Sequence, residues 1–119
     1  MQESGEMYLE TILILSASGK PVRSVDVGEY MGFSKPSVSR AVSNLRAAGH
    51  VTTDADGTLR LTDSGREIAE TIYERHTLLT DLFVRLGVSP EVASEDACKI
   101  EHDISDATFE AIKRRVGSR

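Results

Sequence analysis

The sequence predicts a mainly α protein with a small β-hairpin, in which a winged helix-turn-helix is followed by a second helical domain. Three observations support this fold class. Apolar residues recur at helical spacing in several separate segments. A short turn containing Gly32 separates the second and third predicted helices, and two β-prone runs after the third helix flank Asp54-Ala-Asp-Gly57, a strong hairpin turn signal. This element order is that of a winged helix-turn-helix.

Serine, glycine and proline set the predicted helix ends in the first half of the chain. The predicted helices cover about residues 4–16, 24–30 and 35–48, and the predicted strands cover residues 51–53 and 58–61. Ser24 and Ser34 are the predicted N-caps, because a serine hydroxyl accepts a hydrogen bond from an N–H of the first turn. Gly32 and Gly49 are the predicted terminators. Pro36 falls in the first turn of the third helix, where a missing N–H is tolerated.

Three more helices are predicted in the second half. A long helix covers about residues 63–86, and His76 lies on its apolar stripe of Ile68, Ile72, Leu79, Phe83 and Leu86. Ser89 and Pro90 open the next helix, which is predicted to end near Ile104, and Ser105 caps the last one. Two domains are therefore expected, residues 1–62 and residues 63–119.

Composition narrows the functional class. A chain of 119 residues with one cysteine cannot form an internal disulfide, and its thiol fits a reducing compartment, so a cytoplasmic protein is expected. No apolar run approaches the roughly 18 residues of a membrane span, and no signal peptide opens the chain, so no membrane partner is expected. The net charge of −5 argues weakly against nucleic acid. Residues 33–52, however, contain Lys35, Arg40 and Arg46 and no acidic residue.

The third helix is the predicted DNA-reading helix. Its apolar stripe should face the core, which leaves small hydroxyl residues and Arg40 on the outer side. Small side chains let the backbone approach DNA, and Arg40 is long enough to reach a guanine or a phosphate. Each position could also be an ordinary solvated site. The candidate DNA-binding residues are Ser34, Lys35, Pro36, Ser37, Ser39, Arg40, Ser43, Asn44 and, on the hairpin, Arg60.

The stretch DACKIEHDIS carries metal-ligand chemistry. Cys98, Glu101 and His102 are spaced so that a thiol, a carboxylate and an imidazole share one face of a helix. Cysteine is seldom placed on a freely solvated face. If this face is enclosed, a cation would supply the partners that Glu101 and His102 need. His76, taken alone, is more often a satisfied core histidine.

Five motifs follow one another from about Glu6 to Phe109: EMYLETI, SKPSVSRAVSNL, RLTDSGREIAE, ERHTLLTDLF and DACKIEH. In this order they resemble the diphtheria toxin repressor family of metal-dependent transcriptional repressors. The resemblance implies a winged helix-turn-helix followed by a helical dimerisation and metal-binding domain, acting as a homodimer on double-stranded operator DNA. It also implies that divalent metal orders the first helix and sets the two DNA-binding halves for successive major-groove contacts.

The resemblance further implies a set of metal ligands. The primary site of the iron-responsive branch is matched by Met7, Cys98, Glu101 and His102. Positions used in the manganese branch are matched by Glu10 and His76. The iron-type ancillary site needs a histidine where Ser94 stands and a glutamate where Thr80 stands, so that site is predicted to be incomplete. The chain stops before any SH3-like domain, which predicts a short-form architecture like that of the manganese transport regulators, with an iron-type methionine and cysteine pair.

Ligand chemistry ranks the metals. Thioether and thiolate ligands favour Fe²⁺ over Mn²⁺, which prefers oxygen, so Fe²⁺ is the first candidate and Mn²⁺ the second. The number of ions per subunit stays open, and Cys98 could contribute its backbone carbonyl instead of its thiolate. The chain has no phosphate-binding glycine loop, no Gly-x-Ser-x-Gly and no His-Glu-x-x-His, so neither catalysis nor a small organic substrate is expected. The alternative function is a metal-independent winged-helix module that binds DNA or protein.

Overall fold

Six helices and one two-stranded hairpin make up the part of the chain that the computed structural model describes, residues 3–116. The helices are α1 (Glu3–Ser16), α2 (Ser24–Met31), α3 (Lys35–Ala47), α4 (Asp63–Arg85), α5 (Pro90–Ile100) and α6 (Asp106–Val116). The strands are β1 (Val51–Thr53) and β2 (Leu59–Leu61). The predicted fold class is confirmed. None of the helices in residues 3–116 is long and apolar enough to cross a membrane.

The helix-turn-helix forms where its caps predict it, with one exception. Ser34 caps α3, because its hydroxyl accepts a hydrogen bond from the N–H of Ser37 at 3.4 Å. The prediction that Ser24 caps α2 is wrong, since the N-cap is Arg23, in an extended conformation. There the Asp26 carboxylate accepts the Arg23 N–H at 2.9 Å, which supplies the terminal hydrogen bond from inside the helix. Gly32 ends α2 with a left-handed φ of 73°, which glycine adopts without strain.

The hairpin is a short antiparallel ladder in which Val51 pairs with Leu61. The strand β2 begins at Leu59, one residue later than predicted. Thr58 belongs to the turn, because its N–H donates to the Asp56 carboxylate at 3.0 Å. This backbone donor lowers the pKa of Asp56 below its usual value. The N–H of Leu59 donates to the carbonyl of Val22 at 2.7 Å, which fixes the hairpin to the segment before α2.

The chain forms two compact units, one up to Glu70 and one from Thr71 onward. In the first unit, apolar side chains of α1, α2, α3 and the hairpin form one core that includes Leu9, Ile12, Val27, Val38, Val42, Leu45, Val51 and Leu59. In the second unit, the buried apolar residues are Ile72, Leu79, Ala93, Ala97, Phe109 and Val116. Because α4 runs from Asp63 to Arg85, its first turns belong to the first unit and the rest to the second.

Two predicted details of the second unit differ from the structure. Leu86 does not extend the apolar stripe of α4, since it lies in the turn that closes the helix and is 72% exposed. The helix α5 ends at Ile100 rather than near Ile104. Its C-cap, Glu101, keeps helical dihedral angles, with φ −61° and ψ −24°, and the chain then enters a turn that leads to α6.

Gly65, in the first turn of α4, leaves no room for a side chain. A Cβ atom at this position would lie 2.0 Å from the backbone oxygen of His50. The hydrogen bond from the Thr62 N–H to the same His50 oxygen, at 3.1 Å, keeps the two backbone segments this close.

We therefore expect Gly65→Ala to lower the free energy of unfolding by about 1–3 kcal/mol, because the backbone must shift. Urea denaturation measures the change. Glu70→Ala on the exposed side of α4 is the control, with an expected change within about 0.5 kcal/mol, and an equal midpoint for both variants would contradict the prediction.

Candidate metal centre and DNA interface

A buried carboxylate lies between two imidazoles at the end of α5. The side chain of Glu101 is fully buried. Its Oε2 lies 2.9 Å from Nδ1 of His76 on α4, and its Oε1 lies 3.5 Å from Nε2 of His102. The side chain of His102 is only 1% exposed. Since a buried charge is tolerated only with close partners, Glu101 is the centre around which the two histidines are arranged.

Both ring nitrogens of His76 have hydrogen-bond partners. Where Glu101 is ionised its carboxylate can only accept, and Nδ1 of His76, 2.9 Å away, is then the donor. The other ring nitrogen, Nε2, lies 3.2 Å from the hydroxyl of Ser94 and can accept its proton when the ring is neutral. Both ring nitrogens of His76 are therefore held, Nε2 by Ser94 on α5 and Nδ1 by Glu101, the residue that directly follows α5. Ser94, which stands where the resemblance implies a histidine of the ancillary site, thus contacts His76.

Three metal-ligand types meet in the second unit. The ligand atoms of His76, Cys98 and Glu101 all lie within 4.8 Å of one another. Two ligand atoms bound to one ion are at most about 4.4 Å apart, twice a bond of about 2.2 Å, so only small side-chain movements are needed to close this set around a cation. Imidazole, thiolate and carboxylate together suit Fe²⁺, Co²⁺, Ni²⁺ and Zn²⁺. The residues therefore fit a divalent transition metal.

Accessibility divides the cluster. Cys98, the single cysteine of the chain, is exposed, whereas Glu101 is fully buried. The condition that this face is enclosed is therefore met by the Glu101 and His102 side chains and not by Cys98. The physical reason is helical spacing, because Glu101 keeps helical dihedral angles and follows Ala93 and Ala97 at four-residue steps on the buried face of α5, whereas Cys98 lies on another face. One side of the cluster is open to solvent and the other is closed.

The remaining two predicted ligands lie on α1 in the first unit. Met7 is half-buried and Glu10 is 8% exposed. The carbonyl of Met7 accepts a hydrogen bond from the Thr11 hydroxyl at 2.9 Å, an ordinary contact within a helix. The roles of Met7 and Glu10 stay predictions from the family pattern.

Arg75 was missed by the sequence analysis, although it precedes His76. It is buried, at 7% exposure, and its guanidinium donates to the carbonyls of Glu101 at 3.1 Å and Ile104 at 3.0 Å. It also pairs with the Asp106 carboxylate and lies over the ring of Phe109, 5.3 Å from the centroid. The signal for it was available, since Arg75 follows Ile72 by three residues on the apolar stripe of α4, where a charged residue requires partners.

The candidate DNA-reading residues are at the surface. Ser37 is half-buried, and the other candidates on α3 and at its start are exposed, as are Arg60 and residues 54–56 of the hairpin turn. Beside α3, a groove of about 560 Å³ runs to the hairpin and is lined in part by Ser39, Ser43, Thr53 and two arginines, Arg23 and Arg46. Arg46 donates to the Thr53 hydroxyl at 3.0 Å, which ties α3 to β1. Arg23 was missed because its position depends on the fold.

Arg40 and Arg60 have different electrostatic surroundings. Burial raises the pKa of Tyr8 on α1, and the nearby positive charge of Arg40 opposes that rise. Arg60 is paired within the hairpin, where its Nε lies 2.7 Å from the Asp54 carboxylate, and this hydrogen bond raises the pKa of Arg60. The hairpin arginine is thus already partly neutralised, whereas Arg40 forms no ion pair with a carboxylate of residues 3–116.

Comparison with known proteins decides the family. Residues 1–59 match the family model described as "Iron dependent repressor, N-terminal DNA binding domain". Residues 62–119 match the model described as "Iron dependent repressor, metal binding and dimerisation domain". The chain belongs to the iron-dependent repressor family. The predicted resemblance and the predicted class, a metal-dependent transcriptional repressor, are confirmed at the level of this family.

Individual relatives agree. The chain is 30% identical over 115 residues to an uncharacterized HTH-type transcriptional regulator of Methanocaldococcus jannaschii, covering 95% of this chain and 92% of the relative. It is 32% identical over 108 residues to the diphtheria toxin repressor of Corynebacterium diphtheriae, covering 87% and 46%. The solved structure of the manganese regulator SloR superposes with a TM-score of 0.85 at 28% identity, covering 97% of this chain and 54% of SloR. The chain therefore spans about half the length of the last two.

These relatives support the predicted metal, DNA and dimer partners at the level of the family and not for this chain itself. The family comprises transcription regulators that bind divalent metal, iron or manganese, and operator DNA, and that dimerise through the C-terminal domain. This family member's own metal, its dimer, its operator and its cytoplasmic location stay predictions.

Proposed function

We propose that this protein is a metal-activated transcriptional repressor that binds operator DNA as a homodimer and controls metal-uptake or metal-homeostasis genes. In this proposal residues 1–62 bind DNA, and residues 63–119 bind metal and dimerise. The observation that carries it is the meeting of His76, Cys98 and Glu101 within 4.8 Å, in the segment that matches the family's metal-binding and dimerisation domain. Without a metal-binding role, a buried carboxylate beside two histidines and a thiol has no evident use.

The proposed metal ligands are Met7, Cys98, Glu101 and His102, with Glu10 and His76 as further candidates. Their support differs. Glu101 contacts both histidines, and Cys98 belongs to the compact donor cluster, whereas Met7 and Glu10 rest on the family pattern alone. A bound divalent ion would supply fixed positive charge beside the buried carboxylate, which favours the ionised form of Glu101.

Fe²⁺ is the proposed effector and Mn²⁺ the second candidate. The donor cluster contains a thiolate and an imidazole beside one carboxylate. Thiolate and thioether are soft ligands that favour the later metals of the series, whereas Mn²⁺ is suited to oxygen ligands. The family is that of iron-dependent repressors and the structural relative SloR is a manganese regulator, so the relatives support either metal and ligand chemistry decides the ranking.

Double-stranded DNA is the proposed partner of α3. Support comes from the exposed hydroxyl and basic side chains of α3, the absence of acidic residues from position 33 to 52, and the match of residues 1–59 to a DNA-binding domain. The proposed contacts are Ser34, Lys35, Pro36, Ser37, Ser39, Arg40, Ser43, Asn44 and Arg60. Arg23 and Arg46 are added as phosphate contacts, because both line the groove between α3 and the hairpin.

The decisive experiment measures, by fluorescence anisotropy under anaerobic conditions, how tightly the protein binds the DNA upstream of its gene. Three arms contain chelator, buffered Fe²⁺ or buffered Mn²⁺, with each free metal concentration set within its cellular range. We expect weak binding in chelator and about 5–150-fold tighter binding with metal, which corresponds to a coupling of about 1–3 kcal/mol. A scrambled duplex of the same length and composition controls for non-specific binding.

The outcomes separate the candidate functions. Tightening with Fe²⁺ at lower free concentration than with Mn²⁺ would support both parts of the proposal. Tightening with Mn²⁺ alone would replace the effector. Equal DNA binding in chelator and metal would favour the metal-independent winged-helix module, and equally weak binding to both duplexes in every arm would contradict the chosen operator.

The pair of Asp54 and Arg60 gives a separate prediction about the hairpin. Asp54→Asn should release the Arg60 guanidinium for a phosphate, so that DNA affinity rises and the salt dependence, d log K/d log[salt], steepens by up to about one unit. Binding isotherms over a series of salt concentrations measure both. Asp56→Asn is the matched control, since it removes an equal charge from the same turn and leaves the Arg60 pair intact. Identical behaviour of the two variants would show that only net charge matters there.

A further inference from the structure

Arg75 is the most deeply enclosed cation in the part of the chain that is described, and its partners are unusual. The residue is 7% exposed on α4, in the middle of the second unit. Burying a guanidinium is expensive unless several acceptors replace its water. Two of those acceptors are backbone carbonyls, at Glu101 and Ile104. The cation is therefore directed at a segment of backbone rather than at a single acidic side chain.

That segment is the turn that leads from α5 to α6. The carbonyls of Glu101 and Ile104 lie at its two ends, and His102 lies between them. The carbonyl of Glu101, the C-cap of α5, has no partner within the helix, so a guanidinium that donates hydrogen bonds to it and to the carbonyl of Ile104 fixes the direction in which the chain leaves α5. The side chains of Glu101 and His102 project from this fixed backbone.

The far end of the turn is held by the same side chain. The second guanidinium nitrogen pairs with the carboxylate of Asp106, the first residue of α6. The planar face of the guanidinium lies 5.3 Å from the centroid of the Phe109 ring, one turn further along α6. The guanidinium is a rigid fork, so one side chain fixes the C-cap of α5, the turn and the start of α6 relative to one another.

We infer that Arg75 is a positioning residue for the metal centre, which holds the Glu101–Ser105 turn so that the Glu101 and His102 side chains are presented to the ion. The inference rests on the proposed function. Arg75 offers no lone pair to a metal and donates only hydrogen bonds. It acts by limiting the conformations of the two ligands before metal arrives, as groups behind the ligands of metal sites do.

The test compares Arg75→Lys with Arg85→Lys in the full chain. Arg85 is the matched control, because it lies on α4, pairs with Asp81 and reaches the carbonyl of Val116, and contacts no residue of the metal cluster in the described range. Lysine keeps the charge and loses the fork. Anaerobic titration with Co²⁺ alone is followed by the d–d bands and the thiolate-to-cobalt charge-transfer band, with circular dichroism to confirm folding.

We expect Arg75→Lys to bind Co²⁺ about 10–100-fold more weakly than the wild type, the usual loss when a group behind a metal ligand is changed. Its d–d spectrum should also change, because the ligands are no longer held in one geometry. Arg85→Lys should match the wild type in affinity and spectrum. A purely structural role of Arg75 would lower the melting temperature and leave the cobalt spectrum unchanged, so a folded Arg75→Lys with wild-type affinity and spectrum overturns the inference.

Asp106→Asn provides the second variant, should Arg75→Lys fail to fold. Asp106 is 93% exposed, and its substitution leaves both carbonyl bonds of Arg75 in place. We expect a smaller loss of Co²⁺ affinity in the same direction, and an unchanged affinity and spectrum would count against the inference. If the wild type itself bound no Co²⁺, the proposed function and the inference would fall together. If the wild type binds Co²⁺ and the Arg75 and Asp106 variants bind it with the same affinity and spectrum, the inference is rejected and the proposed function stands.

Discussion

Replacing His102 with alanine should abolish the tightening of DNA binding by metal, a loss of about 5–150-fold at saturating metal. The His102 imidazole is 1% exposed and lies 3.5 Å from the Glu101 carboxylate, so its removal takes one nitrogen ligand from the proposed site and leaves a polar gap beside Glu101. DNA affinity in chelator should stay unchanged, because the DNA-reading helix α3 belongs to the first unit. Fluorescence anisotropy in chelator and in buffered Fe²⁺ measures both quantities.

The chain offers its own control for this prediction. His50→Ala removes a histidine of the first unit whose ring contacts the Ser64 hydroxyl at 2.9 Å and lies outside the donor cluster. We expect this variant to keep the metal response. Circular dichroism checks that His102→Ala is folded, and His102→Gln, which retains a polar side chain of similar size, is a second variant should the alanine variant fail to fold. A normal metal response in folded His102→Ala would remove His102 from the ligand set.

Arg40→Ala should weaken operator binding by about 1–3 kcal/mol, or about 5–150-fold, with metal affinity unchanged. The reason is the exposed place of Arg40 on α3, where Ser39 and Ser43 are small enough to let the helix backbone come close to DNA. Competition binding with the operator and with a scrambled duplex measures the loss for each. Arg66→Ala is the control, since Arg66 is also exposed, lies on α4 and pairs with Glu70 at 3.8 Å.

The two duplexes also reveal what Arg40 contacts. If Arg40 reads a base edge, the loss should fall on the operator and leave binding to the scrambled duplex almost unchanged. If it contacts a phosphate, both duplexes should weaken alike and the salt dependence should decrease by about one unit. Wild-type affinity for both duplexes in Arg40→Ala would exclude Arg40 from the interface.

Local features of this fold could be predicted from the sequence because neighbouring residues determine them. Ser34 and Ser89 cap helices as expected, since their hydroxyls need only an N–H three residues later. The hairpin forms around Asp54-Ala-Asp-Gly57, and Gly57 adopts φ 89°, which an ordinary residue rarely does. The prediction for Ser24 failed because the helix begins one residue earlier than expected, with Arg23 as N-cap, where the Asp26 carboxylate accepts the Arg23 N–H.

The candidate site was predicted only as far as one helix allows. Helical spacing placed Cys98 and Glu101 one turn apart, and grouping them on one face overlooked that Glu101 also follows Ala93 and Ala97 at four-residue steps, on the face that is buried. The contact of Glu101 with His76 requires α4 and α5 to pack together, and the two residues are 25 positions apart. Arg75 shows the same limit, since a charged residue on an apolar stripe predicts burial with partners but does not say which carbonyls will accept its hydrogen bonds.

The ion pair between Asp54 and Arg60 in the hairpin has a consequence for how such a regulator finds its operator. Residues 51–61 contain Asp54, Asp56 and Arg60, a net charge of −1, and the arginine is already engaged by Asp54. A chromosome presents about 10⁶–10⁹ competing sites, so the time lost on each wrong site governs the search. A wing whose one arginine is paired with Asp54 attracts DNA only weakly, which would let the protein leave those wrong sites quickly. Residence at the right one would then depend on α3.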